Sequence, residues 1–83
     1  MKDVIMAISV DKRSTAAAAL QEVLTRYGEL IHFRLGMHNL HSEAKKENGR
    51  IILQVIGSDE KIQAMQDELA ALDLVKVQSM ELE

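Results

Sequence analysis

The sequence contains no cysteine. This absence excludes disulfide bonds, thiolate zinc sites, a cysteine nucleophile and cysteine-ligated iron–sulfur clusters. Aromatic residues are nearly absent as well, since Tyr27 and Phe33 are the only two. Because 47% of the 83 residues are hydrophobic, the core must consist of aliphatic side chains and methionines. A chain of this length predicts a single domain, residues 1–83.

The chain also lacks a long basic block and a long hydrophobic run. Ten Lys and Arg residues stand against thirteen Asp and Glu residues, which gives a formal net charge of −3. We therefore expect no direct binding to nucleic acid. The apolar run at residues 4–10 is too short to span a membrane and lacks the layout of a signal peptide. These features predict a cytoplasmic protein without membrane association.

The spacing of the apolar residues predicts the element order βαββαβ. Strand patterns cover residues 3–10, 29–37, 51–57 and 74–77, and helical spacing covers residues 15–27 and 58–72. Ser58 is expected to cap the second helix, whereas the cap of the first is ambiguous between Asp11 and Ser14. With right-handed crossovers, this order favours an α+β ferredoxin-like sandwich, in which two helices cover one face of a four-stranded antiparallel sheet.

The open face is the sheet face opposite the helices. It is expected to carry more apolar residues than a solvated surface usually does. In residues 29–37, strict alternation predicts that the set facing the helices is Ile31, Phe33, Leu35 and Met37. The open face should then form a homo-oligomer, a dimer or a tetramer, through Ile5, Ala7, Leu30, His32, Arg34, Ile52 and Ile56. The alternatives are outer residues merely tolerated at the surface and a separate protein partner.

The loop between the first strand and the first helix is a candidate ligand site. Its residues are Asp11, Lys12, Arg13 and Ser14. Backbone N–H groups and the helix dipole at such a place can receive a small anion or an amino acid. The loop has no glycine-rich segment, which favours a capped helix start with solvated basic side chains instead. Arg34 either pairs with an acidic group across the oligomer interface or lines a ligand groove.

Two histidines form the candidate metal site. His38 and His41 are close enough in sequence to reach one divalent ion from a turn, with Glu43 as an oxygen ligand. His32 lies six residues from His38, roughly 20 Å in an extended strand, so it cannot join them without a bend. Solvated loop histidines are the favoured interpretation, a pH-responsive contact is a further alternative, and we expect no cofactor. No serine has a nucleophile context, so we expect no enzyme.

Several segments resemble one known family over nearly the whole chain. They are residues 20–28 (LQEVLTRYG), 31–37 (IHFRLGM), 48–57 (NGRIILQVIG) and 69–77. The sequence is similar to iron-only hydrogenase system regulators, which belong to the ACT-like and nickel-repressor-C-terminal-like domains. The resemblance implies a small oligomeric regulatory or ligand-sensing module, assembled through its sheet and controlled by a small molecule or metal. The alternatives are a scaffold or assembly protein without a ligand and a histidine-based metal-binding module.

Two departures from the related domains limit what the resemblance implies. Amino-acid-binding ACT domains carry Pro and Gly after the Asp of the first loop, whereas Asp11 is followed here by Lys12, Arg13 and Ser14. The metal site of the nickel repressor includes a cysteine, which this chain lacks. No room remains for that repressor's DNA-binding domain, so regulation of transcription would require another chain.

Overall fold

The computed structural model describes residues 1–11, 13–37 and 49–82. The elements are β1 (Lys2–Val10), α1 (Ala17–Arg26), a short 3-10 turn (Gly28–Leu30), β2 (Ile31–Met37), β3 (Gly49–Gly57), α2 (Asp59–Ala70) and β4 (Val75–Glu81). The strand order is β2-β3-β1-β4, and each neighbouring pair is antiparallel. The predicted βαββαβ ferredoxin-like fold is confirmed.

The core lies between one face of the sheet and the two helices. Alternate residues of β1 and β3 face the helices, because successive side chains in a strand point to opposite faces. The sheet contributes Val4, Met6, Ile8, Ile51, Leu53, Val55 and Val75, and the helices contribute Leu20, Val23, Leu24, Ile62, Met65 and Leu69. Among the described residues no polar or charged residue is buried. The aliphatic core expected from the composition is therefore present.

The start of α2 is confirmed, because the Lys61 N–H donates to Ser58 Oγ over 3.2 Å. The start of α1 differs from the prediction. This helix begins at Ala17 rather than near residue 15, and neither Asp11 nor Ser14 caps it. Ala16 occupies the N-cap position and makes no side-chain hydrogen bond to the helix.

Ser14 does not cap α1, because its hydroxyl forms hydrogen bonds with other groups. Its hydroxyl accepts from the Ala16 N–H over 3.0 Å and donates to the Asp73 carbonyl over 2.7 Å. The Asp11 N–H donates to the Leu74 carbonyl over 3.0 Å. The loop after β1 is thus bound to the turn before β4, and this tertiary contact sets where α1 begins.

A β-bulge in β2 reverses the predicted alternation. Ile31 lies opposite Val55, yet Phe33 lies opposite Gln54, so His32 is an extra residue in the strand. Every later residue of β2 is thereby moved to the other face. The prediction that Phe33 meets the helices is wrong.

The same bulge places Leu35 on the open face, opposite Ile52. Arg34 lies opposite the buried Leu53, on the helix side, and its Nη2 donates to the Gln21 side chain of α1 over 3.1 Å. The predicted open-face position of Arg34 is therefore wrong.

The predicted open-face position of Leu30 is also wrong. It belongs to the 3-10 turn and not to a strand, and only 7% of it is exposed. Its side chain packs in the core against Gly57, where a Cβ would lie 2.8 Å from Leu30 Cδ2. Leu30 is a core residue because the turn before β2 folds back over the end of β3.

Candidate functional site

The open face carries two rows of side chains that cross all four strands. The cross-strand register places the first row at Phe33, Gln54, Ile5 and Met80, and the second at Leu35, Ile52, Ala7 and Gln78. Directly opposite side chains in such rows contact each other. Neither helix covers these rows, because both helices pack on the other face of the sheet.

The most exposed large apolar side chains of the described strands lie in these rows. Phe33 is 53% exposed, Leu35 46% and Met80 61%. Ile52 and Ile5 are half-buried by their neighbours. Ala7 is small, and a depression of about 290 Å³ lies above it, bordered by Ile52, Gln78 and the polar residues of the next row. Contiguous exposed apolar surface of this kind is typical of an interface.

The two ends of the open face differ in charge. At one end Ser9 lies directly between Arg50 on β3 and Lys76 on β4. At the other end lies Asp3, whose carboxylate accepts hydrogen bonds from Gln54 Nε2 over 3.1 and 3.4 Å. The apolar rows therefore lie between a basic end and an acidic end.

In the described part of the loop after β1, the Asp11 carboxylate and Arg13 bind each other. Asp11 Oδ1 accepts from the Arg13 N–H over 2.8 Å and from Arg13 Nε over 2.9 Å, and Asp11 Oδ2 accepts from Arg13 Nη2 over 3.0 Å. The side-chain bonds to the Asp11 carboxylate are the main cause of a raised pKa of the Arg13 guanidinium. An external anion would have to compete with a carboxylate already in place. Lys12 lies outside the described residues.

Arg34 is not brought to this loop. It lies opposite Leu53, which lies opposite Met6, whereas Asp11 follows the end of β1. Five residues of strand separate these levels, roughly 16 Å at the usual rise. Arg34 therefore does not form one site with Asp11, Arg13 and Ser14, the described members of the predicted loop site.

His32 lies exposed at the bulge, beside a depression of about 530 Å³. Glu29 and Lys61 also border this depression, and Lys61 Nζ lies 3.9 Å from Glu29 Oε1. Within the described parts of the chain, no three metal-ligating side chains come together. His38 and His41, the predicted metal ligands, lie outside the described residues.

A polar cluster that sequence reasoning missed joins the two helices. Arg26 Nη1 and the Tyr27 hydroxyl both donate to the Glu68 carboxylate of α2. The bond from Tyr27, followed by that from Arg26, lowers the pKa of Glu68. The same contact raises the pKa of Tyr27. No local motif indicates this cluster, because its members are about 40 residues apart and meet only through helix packing.

Met80 was missed because the apolar–polar alternation of residues 75–78 breaks at Ser79. Only the pairing of β4 with β1 places Gln78 and Met80 on the open face. Phe33 and Leu35 likewise had no sequence signal, because the bulge at His32 depends on pairing with β3 and not on the composition of β2.

A family model matches residues 2–79, and it describes the TM1266-like iron-only hydrogenase system regulators. The chain belongs to this family. The resemblance found in the sequence is confirmed, and the family description is that of a regulator. A comparison with curated proteins finds no match.

Solved structures agree with the family on the fold. The uncharacterised protein TM1266 from Thermotoga maritima is 24% identical, covers 99% of this chain and 98% of its own, and has a TM-score of 0.85. CPII from Thiomonas intermedia K12, solved with ADP, AMP and acetate, is 14% identical over 99% of this chain and 89% of its own, with a TM-score of 0.59.

A dimeric ferredoxin-like protein of unknown function from Thermobifida fusca is more distant. It is 14% identical over 96% of this chain and 92% of its own, with a TM-score of 0.50. At these identities the likeness concerns the fold alone. Among the described residues, no helix of this family member is long and apolar enough to cross a membrane.

Proposed function

We propose that this chain is a homo-oligomeric regulatory module of a hydrogenase system, which assembles through its open face and acts without catalysing a reaction. The observation that carries the proposal is the pair of apolar rows on the side of the sheet that no described element covers, with Phe33, Leu35 and Met80 about half exposed. The family description of a regulator supports the functional class. The dimeric state given for the Thermobifida fusca neighbour supports association.

The energy available from the open face is consistent with this proposal. Covering a few hundred Å² of apolar surface contributes several kcal/mol at about 25 cal/mol per Å². That is comparable with the whole stability of a small domain, roughly 5–15 kcal/mol. Association also costs translational and rotational freedom. We therefore expect a dissociation constant that ultracentrifugation can measure at micromolar concentrations of the chain.

The first experiment measures association by analytical ultracentrifugation from low to high micromolar concentration. We expect the wild-type chain to associate, and Phe33→Thr and Ile52→Thr to weaken association by about tenfold or more each, as central apolar contacts do. Threonine keeps the strand preference of these positions. Leu74→Asn is the matched control, because Leu74 is 40% exposed but lies in the turn before β4.

A wild-type chain that remains monomeric throughout this range would contradict the proposal. Equal weakening by Leu74→Asn would show that the loss is not specific to the open face. Circular dichroism of each variant confirms that the sheet is retained.

Ligand sensing and scaffolding are the two ways in which such a module can regulate. A sensing module would bind a small anion near Asp11, Lys12 and Arg13, or a divalent metal at His38 and His41. A scaffold would instead bind a separate protein partner and no small molecule. The bonds between Arg13 and Asp11 favour the scaffold, because they occupy the loop's described guanidinium.

Thermal unfolding with added ligand separates these alternatives. AMP, ADP and acetate are the first probes, because CPII shares the fold and was solved with them, and nickel, cobalt and zinc are the next. A ligand that binds only the folded chain raises the melting temperature in a concentration-dependent way. A His38→Ala/His41→Ala double variant tests any metal response. Co-purification of a partner without any shift favours the scaffold.

We also propose a cytoplasmic location, since a cysteine-free composition fits a reducing compartment. A net charge of −3 and the basic residues dispersed along the chain support regulation without direct contact to nucleic acid.

A further inference from the structure

The opposite charges at the two ends of the open face select how a second copy can cover it. We propose that two copies stack open face to open face with their strands antiparallel, so that Asp3 of each copy lies between Arg50 and Lys76 of the other. This inference rests on the homo-oligomer proposed above and specifies its geometry.

The register of the sheet defines this arrangement. Along β1 the open face is formed by alternate residues, which are Asp3, Ile5, Ala7 and Ser9. A two-fold axis that runs across the strands and passes over Met6, midway between Ile5 and Ala7, keeps each strand over its own counterpart and reverses its direction. The row of Asp3 then faces the row of Ser9, and the row of Ile5 faces the row of Ala7.

Charge complementarity favours this axis over the one that would stack the two copies with parallel strands. Neither Arg50 nor Lys76 forms an ion pair with another described residue. Among the described residues, the Asp3 carboxylate accepts from the side-chain amide of Gln54 alone, and a carboxylate has about four acceptor positions. Stacking with parallel strands would place the cations of both copies against each other, which disfavours association. Antiparallel stacking places the acidic end over the basic end twice.

The shapes of the two apolar rows also fit this arrangement. Ile5 of one copy lies over Ala7 of the other, where the depression of about 290 Å³ can receive a larger side chain. Phe33 lies over Leu35 at the edge of the sheet. Stacked sheets interdigitate in this manner at a separation of about 10 Å.

The area is sufficient for a specific dimer. Four strands about 4.8 Å apart and four rows about 6.7 Å apart outline a contact of roughly 500 Å² per copy, or about 1,000 Å² for the pair. This is about the minimum area that a specific interface needs, and it lies below the standard range of roughly 1,200–2,000 Å². Both apolar rows and both charged ends are then used.

Charge reversal tests the geometry by analytical ultracentrifugation of the full chain at low salt. The variants are Asp3→Lys, the double variant Arg50→Glu/Lys76→Glu, and the triple variant that combines them. The first two place like charges together at both symmetric contacts, so each should weaken dimerisation by about tenfold or more. The triple variant restores opposite charges at both contacts and should return to within about threefold of wild type.

The outcomes separate this inference from the proposal on which it rests. A monomeric wild-type chain overturns both. If the wild-type chain dimerises and neither Asp3→Lys nor the double variant changes its affinity, the antiparallel geometry alone is overturned. In parallel stacking each charged row faces the same row of the other copy. A reversal then changes both facing charges, and like charges still face each other. A triple variant as weak as the first two variants also overturns it.

Salt dependence gives a second measurement that needs no variant. Raising the NaCl concentration from about 50 mM to about 500 mM shortens the Debye length and screens the charges at both ends. The antiparallel dimer should weaken, whereas a dimer with cations facing cations should strengthen. Strengthening, or no change, contradicts the proposed geometry even where a reversed variant fails to fold.

Discussion

Leu74 adopts a backbone conformation that leucine rarely adopts. Its φ angle is 57°, and it is the single non-glycine residue with a positive φ among the described residues. A left-handed conformation costs an L-residue roughly 1–2 kcal/mol. The Leu74 carbonyl accepts from the Asp11 N–H over 3.0 Å, so the strained turn holds the loop after β1 in place.

The conformation of Leu74 predicts an unusual order of stability among its variants. Leu74→Val should destabilise the chain by about 1 kcal/mol or more, because a β-branched residue tolerates a positive φ poorly. Leu74→Asn should be the more stable variant despite its polarity, since asparagine adopts this region readily. Urea unfolding of both variants measures the difference.

Leu72 provides the matched control for this prediction. It lies two residues earlier and is partly buried against the core, and its φ is not positive. There the order should reverse, with Leu72→Val more stable than Leu72→Asn. The same order at both positions would show that backbone conformation does not control the effect at Leu74.

The two helices are joined by a charged contact on top of their apolar packing. Arg26 and Tyr27, at the end of α1, donate to Glu68 in the last turns of α2. The guanidinium of Arg26 also lies 5.9 Å from the centre of the Tyr27 ring, within the range of a cation–π contact. Because these bonds lower the pKa of Glu68 in the folded chain, the contact should depend on pH.

The direction of that dependence follows from the lowered pKa. Above the ordinary glutamate pKa of 4.5 the contribution of the Glu68 carboxylate to stability is fully present, and it is lost as the pH falls through the lowered value. Wild type should therefore be more stable than Glu68→Gln at pH 7, and the difference should shrink well below pH 4.5. Urea unfolding at several pH values measures it.

Tyr27→Phe serves as the companion variant for this contact, because it removes the hydroxyl that lowers the pKa of Glu68 most and keeps the ring. In the Tyr27→Phe background, the loss of stability caused by Glu68→Gln should be smaller than it is in the wild-type chain. A loss that stays constant with pH would contradict the role assigned to the Glu68 carboxylate.

The bulge in β2 decides which face of the sheet each later residue of this strand lies on. With His32 as an extra residue, Phe33 and Leu35 are moved to the open face and Arg34 to the helix side. Arg34 is accommodated there because β2 is an edge strand and its guanidinium reaches Gln21 at the rim of α1. A one-residue change of register thus supplies two of the large apolar side chains of the proposed interface.

At the scale of the whole sheet, the two helices cover one side of the four strands, and no element of the described residues covers the other side. The composition supplies more apolar strand residues than this single layer of helices can bury, and the surplus lies in the two rows of the open face. Small domains bury a limited share of their surface. Covering the open face with a second copy is therefore the most direct way for this chain to gain buried area.

Local periodicity was enough to predict the order of the elements, the aliphatic core and the open-face positions of Ile5, Ala7 and Ile52. The Ser58 cap was also readable from the chain, since it depends on residues three positions apart. Family membership followed from local segments in the same way.

Other features depend on contacts between distant parts of the chain. The start of α1 depends on the bond from Ser14 to Asp73, and the face on which Phe33 and Leu35 lie depends on how β2 pairs with β3. The burial of Leu30 depends on the turn that brings it against Gly57. Pairing between distant residues leaves no periodic pattern in the segment itself. The open face predicted from periodicity therefore exists, but folding selected which residues of β2 belong to it.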